Sequence, residues 1–275
     1  MRIAILADIH GNLPALEAAL KDAEAMRVDR LLVAGDVVVG APDSAGCWDL
    51  VQSLRCPILR GNHERYLFDL HTERAAPEWH SPRFGPVQFA AAQVGETRRR
   101  QMQALPMTHQ FTDCPEILFV HGSTRSDSDL VFPYTGDEAI DPMFPAETPE
   151  WIVRGHNHFC SVRLWEHRKI ITVGSVGLPL DGTPSAQYSI LEKKSTTWRV
   201  IHRYVPYNIE ATLHRFRDSG YLEQGGPMAR LYMREVLTAS FHVLPFLKYY
   251  QQRLAKEPDL SLDVAVRAFL PAEFC

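Results

Sequence analysis

Residues 2–12 read Arg2-Ile3-Ala4-Ile5-Leu6-Ala7-Asp8-Ile9-His10-Gly11-Asn12, a short apolar run that stops at a carboxylate, an imidazole and a glycine. A continuous run of this length, bounded by a turn former, suits a strand buried on both faces. Immediately afterwards Leu13, Leu16, Ala19 and Leu20 recur at helix spacing. The same arrangement, strand and then polar cluster, returns four times. Residues 30–33 run into Gly35-Asp36 and residues 57–59 into Gly61-Asn62-His63-Glu64. Residues 117–120 run into His121-Gly122, and residues 151–153 into Gly155-His156-Asn157-His158. Strands alternating with helices predict βαβ units and parallel pairing, and ligands of such sheets collect beyond the carboxyl ends of the strands. The five polar clusters are therefore expected to converge on one edge of one sheet.

Working outward, the texture changes after His158. Residues 161–165, 169–173, 187–191 and 197–204 are shorter alternating segments that read as antiparallel strands of a second sheet, with helices outside both sheets. Residues 65–110 read as a helical insertion or lid, with Val87, Ala90, Ala91 and Val94 on one face. From residue 206 to 275 the tail reads as a helical extension packed on the same domain, so residues 1–205 form the main domain. In that tail Asn208 can cap a helix carrying Ile209, Leu213 and Phe216, and Gly220 can end it. Residues 228–240, 241–254 and 260–270 predict three further helices.

Composition narrows the class. A hydrophobic fraction of 45% and a charged fraction of 23% are those of a chain that buries a full core. The formal charge, 29 − 33 = −4, supplies no field for general binding to nucleic acid or to a membrane surface. Cys47, Cys56, Cys114, Cys160 and Cys275 never fall in a C-x-x-C spacing, which argues against a disulfide framework or a thiolate zinc site and fits a reducing cytoplasm. Asp8 interrupts the first apolar run too early for a secretory signal, and no segment approaches the ~20 apolar residues that span a bilayer.

The clusters hold seven candidate ligands: Asp8, His10, Asp36, Asn62, His121, His156 and His158. Each short motif is weak alone, but seven oxygen and nitrogen donors at five strand ends in a fixed order are strong evidence together. Carboxylate, imidazole and amide oxygen suit borderline-hard divalent ions such as Mn, Fe, Zn, Co or Ni. With a strand period of two, Asp8 and His10 point to one side and can chelate one ion. Asp36 can bridge two ions, and Asn62 offers an oxygen without adding charge.

These motifs, D-x-H, G-D, G-N-H-E, H-G and G-H-N-H in this order, resemble those of the calcineurin-like metallophosphoesterase family. The later Gly174-Ser175-Val176-Gly177-Leu178-Pro179, followed by Asp181-Gly182 and Tyr188, is similar to a segment of its small prokaryotic phosphodiesterase-like members. The resemblance implies an α+β fold, a four-layer αββα sandwich of two mixed sheets. It implies one metal ion on Asp8, His10, Asp36 and His158, and another on Asp36, Asn62, His121 and His156. It casts His63 as the group acting on the leaving oxygen, while a hydroxide bridging the two ions attacks. The expected substrate is a small phosphodiester, nucleotide or dinucleoside polyphosphate, with Asn12, Arg60, Trp79 and Phe84 as candidate contacts. Two departures bear on substrate. Val39 and Gly40 stand where phosphoprotein phosphatases carry an acidic residue and a phosphate-gripping arginine, and Leu180 replaces the arginine that usually follows G-S-V-G-x-P. A phosphoprotein phosphatase or a non-catalytic scaffold on the same fold are the alternatives. Arg98-Arg99-Arg100 reads as a solvated helix face rather than a polyphosphate grip, and Cys160 as a core residue rather than a redox sensor.

Overall fold

In β1 (Arg2–Leu6) Ile3 and Ile5 face one way, Ala4 and Leu6 the other, and all four are fully buried. A layer must cover each face. The computed structural model, which describes residues 1–274, supplies both. The first sheet runs in the order β2 (Arg30–Val33), β1, β8 (Ala186–Lys194), β9 (Thr197–Val205), with β1 parallel to β2 and the other pairs antiparallel. The second runs β3 (Thr108–His109), β4 (Ile117–Val120), β5 (Trp151–Arg154), β7 (Arg168–Val173), β6 (Cys160–Trp165), with β4, β5 and β7 parallel and the two edge strands antiparallel.

Between the sheets Ile3 and Ile5 meet Leu59, Phe119, Val153 and Ile171. On the outer face of the first sheet Ala4 and Leu6 pack with α1 (Leu13–Ala25), α2 (Ser44–Ser53) and α4 (Gly85–Gln103) through Leu16, Trp48 and Ala90. Asn12 starts α1 by accepting from the Ala15 amide at 3.3 Å, and Pro14 occupies its first turn. α3 (Asn62–Asp69) lies beside α4. Beyond the second sheet, Leu118, Val120 and Ile152 are covered by Val131, Ile140, Met143 and Phe144. This fourth layer is thin, because its helix α5 (Asp137–Ile140) is a single turn. Residues 206–274 carry α6 (Ile209–Asp218), α7 (Tyr221–Gln224), α8 (Pro227–Thr238), α9 (Val243–Leu254) and α10 (Leu262–Phe269). Asn208 caps α6 by accepting from Ala211 at 3.0 Å. Part of this extension forms its own core around Phe246, Leu262 and Val266, and part docks through Phe216, Tyr221 and Val236 on Ala41 and Leu178.

Two expectations need correction. The late strands do not form a sheet of their own: β6 and β7 extend the sheet of β4 and β5, whereas β8 and β9 extend that of β1 and β2. Residues 57–59 make one parallel bridge, Ile58 to Val33, rather than a strand. Residues 65–110, read as a helical insertion or lid, carry α4 packed against the first sheet. Val87, Ala90, Ala91 and Val94 are core residues, and the segment ends in β3. Cys47, Cys56, Cys114 and Cys160 are free thiols, and Cys275 lies outside the described residues. Among the described residues no helix is long and apolar enough to cross a membrane.

Candidate metal centre

Past β1 the chain leaves the strand but keeps its ladder. The amides of Asp8, His10 and Gly11 donate to the carbonyls of Gly35, Asp36 and Val37 at 3.1, 3.0 and 2.9 Å. From the other side Val176 and Gly177 donate to Ala7 and Asp8 at 2.9 and 3.0 Å. Gly177 is required here by contact, since a Cβ would stand 1.8 Å from the Ile9 carbonyl oxygen. Asp8, His10, Asp36, His156 and His158 all have positive φ, between 50° and 71°. Alternation along a strand is therefore not what brings Asp8 and His10 together. Left-handed loop conformations do, each costing about 1–3 kcal/mol that the packing around it must offset.

The result is two groups of donor atoms, Asp8, His10, Asp36 and His158, and Asp36, His121 and His156, each mutually within 4.8 Å. Asn62 joins the second, its Oδ1 being 3.3 Å from His121 Nε2. Both sheets contribute: Asp8, His10 and Asp36 follow strands of the first, His121, His156 and His158 strands of the second. The seven predicted ligands thus meet, but across the seam of two sheets rather than on one sheet edge.

Backbone carbonyls set which ring nitrogen faces inward. His10 Nδ1 donates to Val39, His121 Nδ1 to Ala34 and His158 Nδ1 to Leu178, each at 2.7 Å. Their Nε2 atoms then face the centre, where those of the neutral His10 and His158 rings stand 3.1 Å apart. His156 is reversed. Its Nε2 donates to Ser128 at 3.1 Å, and its buried Nδ1 has no hydrogen-bond partner. Asp36 Oδ2 is also buried without such a partner, 3.3 Å from His121 Nε2 and 3.8 Å from His10 Nε2. Acceptors facing acceptors in a buried space repel one another unless a cation lies between them, so the donor set fits divalent metal ions.

Electrostatics agree with that fit at three of the four imidazoles, while Asp8 and His121 would each give up a proton on binding an ion. Burial, with neighbouring imidazoles, holds His10 and His156 well below their usual range and lowers His158 to about 4, leaving all three in the neutral form that binds metal. Burial also pushes Asp8 up to about 8. Burial opposes the Asp36 charge, but His121 and His63 hold its carboxyl well below the usual range. For His121 burial is outweighed chiefly by Asp36, which raises the imidazole to about 9.

A model of the calcineurin-like phosphoesterase superfamily domain matches residues 1–196. The chain belongs to that superfamily. It is similar in structure to a metallophosphoesterase from Sphaerobacter thermophilus, with 26% identity, a TM-score of 0.68 and coverage of 87% of this chain and 99% of the other. A hypothetical protein from Pyrococcus horikoshii OT3 shares the fold at a TM-score of 0.71, with 17% identity and coverage of 88% and 99%. An uncharacterized protein of Methanocaldococcus jannaschii is 23% identical over 224 residues, which is 76% of this chain and 88% of the other.

Around this superfamily site lie residues that motif reading passes over. Glu64, fully buried, accepts the amides of Asp36 and Gly61 on Oε2 at 2.9 and 2.8 Å, and that of Val37 on Oε1 at 2.7 Å. Arg154, equally buried and drawn down by burial to about 10, remains a cation that donates to Gly122, Asn157 and Asp129 and so ties together the loops bearing His121, His156 and His158. Ser175 Oγ donates to the Asp8 carbonyl at 2.7 Å. Glu64 adjoins Asn62 and His63 in the sequence, a signal that could have marked it. Ser175 belongs to the Gly174–Pro179 segment, which marks it without giving it a role, and Arg154 carries no signal beyond its nearness to His156.

His63 sits beside the donor groups without belonging to them. Its amide donates to Asp36 Oδ1 at 2.9 Å, its ring stands edge-on to His10 and Tyr66 at 4.8 and 5.4 Å, and its Nδ1 has no partner. Those ring contacts orient it, which answers for the acidic residue absent at Val39. The candidate substrate contacts separate. Phe84 lines a cavity beside His63, whereas Trp79 is buried behind it, stacked on Phe84 with centroids 5.9 Å apart. Asn12 is fully buried, and its amide is spent on Gly177, Tyr207, Thr212 and the α1 cap, so it presents no free polar atom to a ligand. Arg60 rests over the Phe68 ring at 5.9 Å with Nε 3.9 Å from Asp127. Arg98 pairs with Asp49, and Arg99 and Arg100 pair with Glu96; Arg100 is solvated, whereas Arg99 lies mostly buried. Cys160 opens β6, partly buried, and burial pushes its thiol up to about 12, which leaves it unreactive.

Proposed function

We infer that the chain is a metal-dependent phosphoric ester hydrolase acting on a small phosphodiester, nucleotide or dinucleoside polyphosphate in the cytoplasm, with no membrane or general nucleic-acid partner. One observation carries this reading: buried lone pairs converge on Asp36 from two donor groups that share it. Such a carboxylate suits two divalent ions of the Mn, Fe, Zn, Ni or Co kind, with Asp8, His10 and His158 on one side and Asn62, His121 and His156 on the other. Bound there, the ions would supply Lewis-acid polarisation of the phosphoryl group and activation of water.

The chain's own residues do the rest. The Nδ1–carbonyl bonds of His10, His121 and His158 fix ring orientation, so the donors need no rearrangement when substrate arrives. His63, mostly buried but facing the cleft, holds a proton for the departing ester oxygen. Burial lowers its pKa despite the nearby Asp36 charge, which makes the protonated ring a stronger acid but leaves a smaller share of it protonated at neutral pH, so activity that depends on this proton should fall as pH rises. Cavities of about 290 Å³ on either side of it suit a small substrate.

His63→Gln, assayed on a nitrophenyl ester and on an ester of an aliphatic alcohol, tests the assignment. A general acid contributes ~100 to 10,000-fold on the poor leaving group and much less on nitrophenolate. Equal slowing of both substrates with metal content intact would refute the proton donor. Absence of hydrolysis by the metal-loaded wild type across phosphodiesters, nucleotides and phosphopeptides would refute the hydrolase.

A further inference from the structure

One wall of the cleft belongs to the C-terminal extension, and its chemistry is unlike that of the metal centre. Beside His10, His63, His156 and His158 opens a cavity of about 290 Å³. Its walls are Leu130 and Phe132 from the loop after β4, Leu178 and Leu180 from the turn after β7, and Phe241 and Leu244 from the α8–α9 junction. Among the described residues no lysine or arginine lines it, and Glu235 is its one carboxylate, held by the amides of His242 and Val243 at 2.8 Å each. Leu180 is the residue that replaces the arginine of the related prokaryotic segment, so the position where a cation is expected is apolar. Leu130, Phe241 and Leu244 are 44%, 41% and 62% exposed. Three large apolar side chains exposed together at the mouth of a reaction centre mark a binding surface. On the other side of His63 the second cavity is lined by Tyr66, Tyr232 and Arg83, and Arg83 pairs with no carboxylate among the described residues.

We propose that this chain selects phosphoric esters carrying a neutral apolar substituent, an aryl or short alkyl group, which fills the Leu180–Phe241–Leu244 cavity while the phosphate lies against the donor cluster. The proposal rests on the hydrolase reading and narrows it: a polyphosphate arm in this cavity would meet Glu235 and no cation, so dinucleoside polyphosphates are disfavoured there. The volume is ample for one ring, since an apolar cavity of ~150 Å³ accepts benzene.

The test holds the leaving group constant. In 4-nitrophenyl phosphodiesters whose second substituent is methyl, butyl or phenyl, kcat/KM should rise roughly tenfold or more from methyl to butyl or phenyl, since each methylene in an apolar pocket is worth that order of discrimination. Leu244→Arg, at a position exposed enough to accept the charge, should collapse the butyl-to-methyl ratio towards one. Val264→Arg, at an exposed position of α10 outside the cavity, should keep it. Calorimetry of phenylphosphonate against methylphosphonate on the metal-loaded protein gives a readout without turnover, with at least tenfold tighter binding of the phenyl compound expected. A wild-type ratio near one, a ratio that survives Leu244→Arg, or equal phosphonate affinities would overturn the proposal. If no ester is cleaved and phenylphosphonate still binds more tightly, the hydrolase reading falls and the apolar subsite stands.

Discussion

Glu64→Gln changes no volume and removes one charge, so its effect isolates what the carboxylate does. Three amides converge on Glu64, from Asp36 and Gly61 on one oxygen and from Val37 on the other, at 2.7 to 2.9 Å. Burial and the neighbouring Asp36 charge push the carboxyl up to about 7, yet each of these bonds needs an acceptor. An amide has one acceptor oxygen. In its better orientation the substituted side chain would keep the Asp36 and Gly61 bonds, lose the bond from Val37 and set its NH2 against that N–H. The loss of one charge-assisted bond is worth ~1.5–3 kcal/mol, and weakening of the other two brings the total to about 2–4 kcal/mol. At roughly 2–3 °C per kcal/mol for a chain of this size, the melting temperature in chelator should fall by about 5–10 °C. Because the weakened bonds position the backbone of Asp36 and of Gly61, which precedes Asn62, and the lost one that of Val37, next to Asp36, affinity for divalent ions should fall ~10 to 100-fold. Scanning calorimetry in chelator and isothermal titration with the ion measure the two effects. A melting temperature within about 1 °C of wild type, with affinity within about twofold, would refute the view that Glu64 holds the centre together.

Gly61→Ala should strip metal while leaving the fold recognisable, because the new Cβ would stand 2.1 Å from Asp36 Oδ1 and 2.5 Å from its amide nitrogen, forcing the shared carboxylate to move. The overpacking costs ~1–3 kcal/mol, and metal analysis after dialysis should find less ion than in wild type, with unchanged far-UV circular dichroism; full retention contradicts the argument. Glu235→Gln should alter how stability depends on pH. Burial raises this carboxyl from 4.5 to about 7, so its contribution is present below about pH 4.5 and lost as pH rises through about 7. Wild type should therefore lose up to ~3 kcal/mol relative to the variant between pH 5 and pH 8, and equal melting-temperature differences at the two pH values would show that Glu235 does not titrate there.

What can be read from the sequence is contiguous, and what cannot is a matter of pairing. Each ligand cluster follows its own apolar run, so the motifs can be identified without knowing which strands are neighbours. The partition of strands depends on distant partners. β4 and β1 have the same apolar texture, and nothing in either says that β8 pairs beside β1 while β7 pairs beside β5. That error has a chemical consequence. A site on one sheet edge would draw its ligands from one set of loops, whereas here Asp8 accepts the His156 amide from the other sheet at 2.9 Å. The two sheets are thereby fastened to each other through a ligand. Trp79 reads as a substrate contact because an aromatic residue in an insertion can stack on a base; its ring partners, Tyr66 and Phe84, come from other elements. Tyr232 and Glu235 lie still further from the motifs, three residues apart on one turn of α8, and only the docking of that helix brings them to the cleft. The residues that bind any phosphate are thus encoded locally at strand ends. Under the proposed function, part of the wall that meets the rest of the substrate, Tyr232 and Glu235, arrives on a helix more than 70 residues beyond His158, where substitution can change the cleft without disturbing a donor atom.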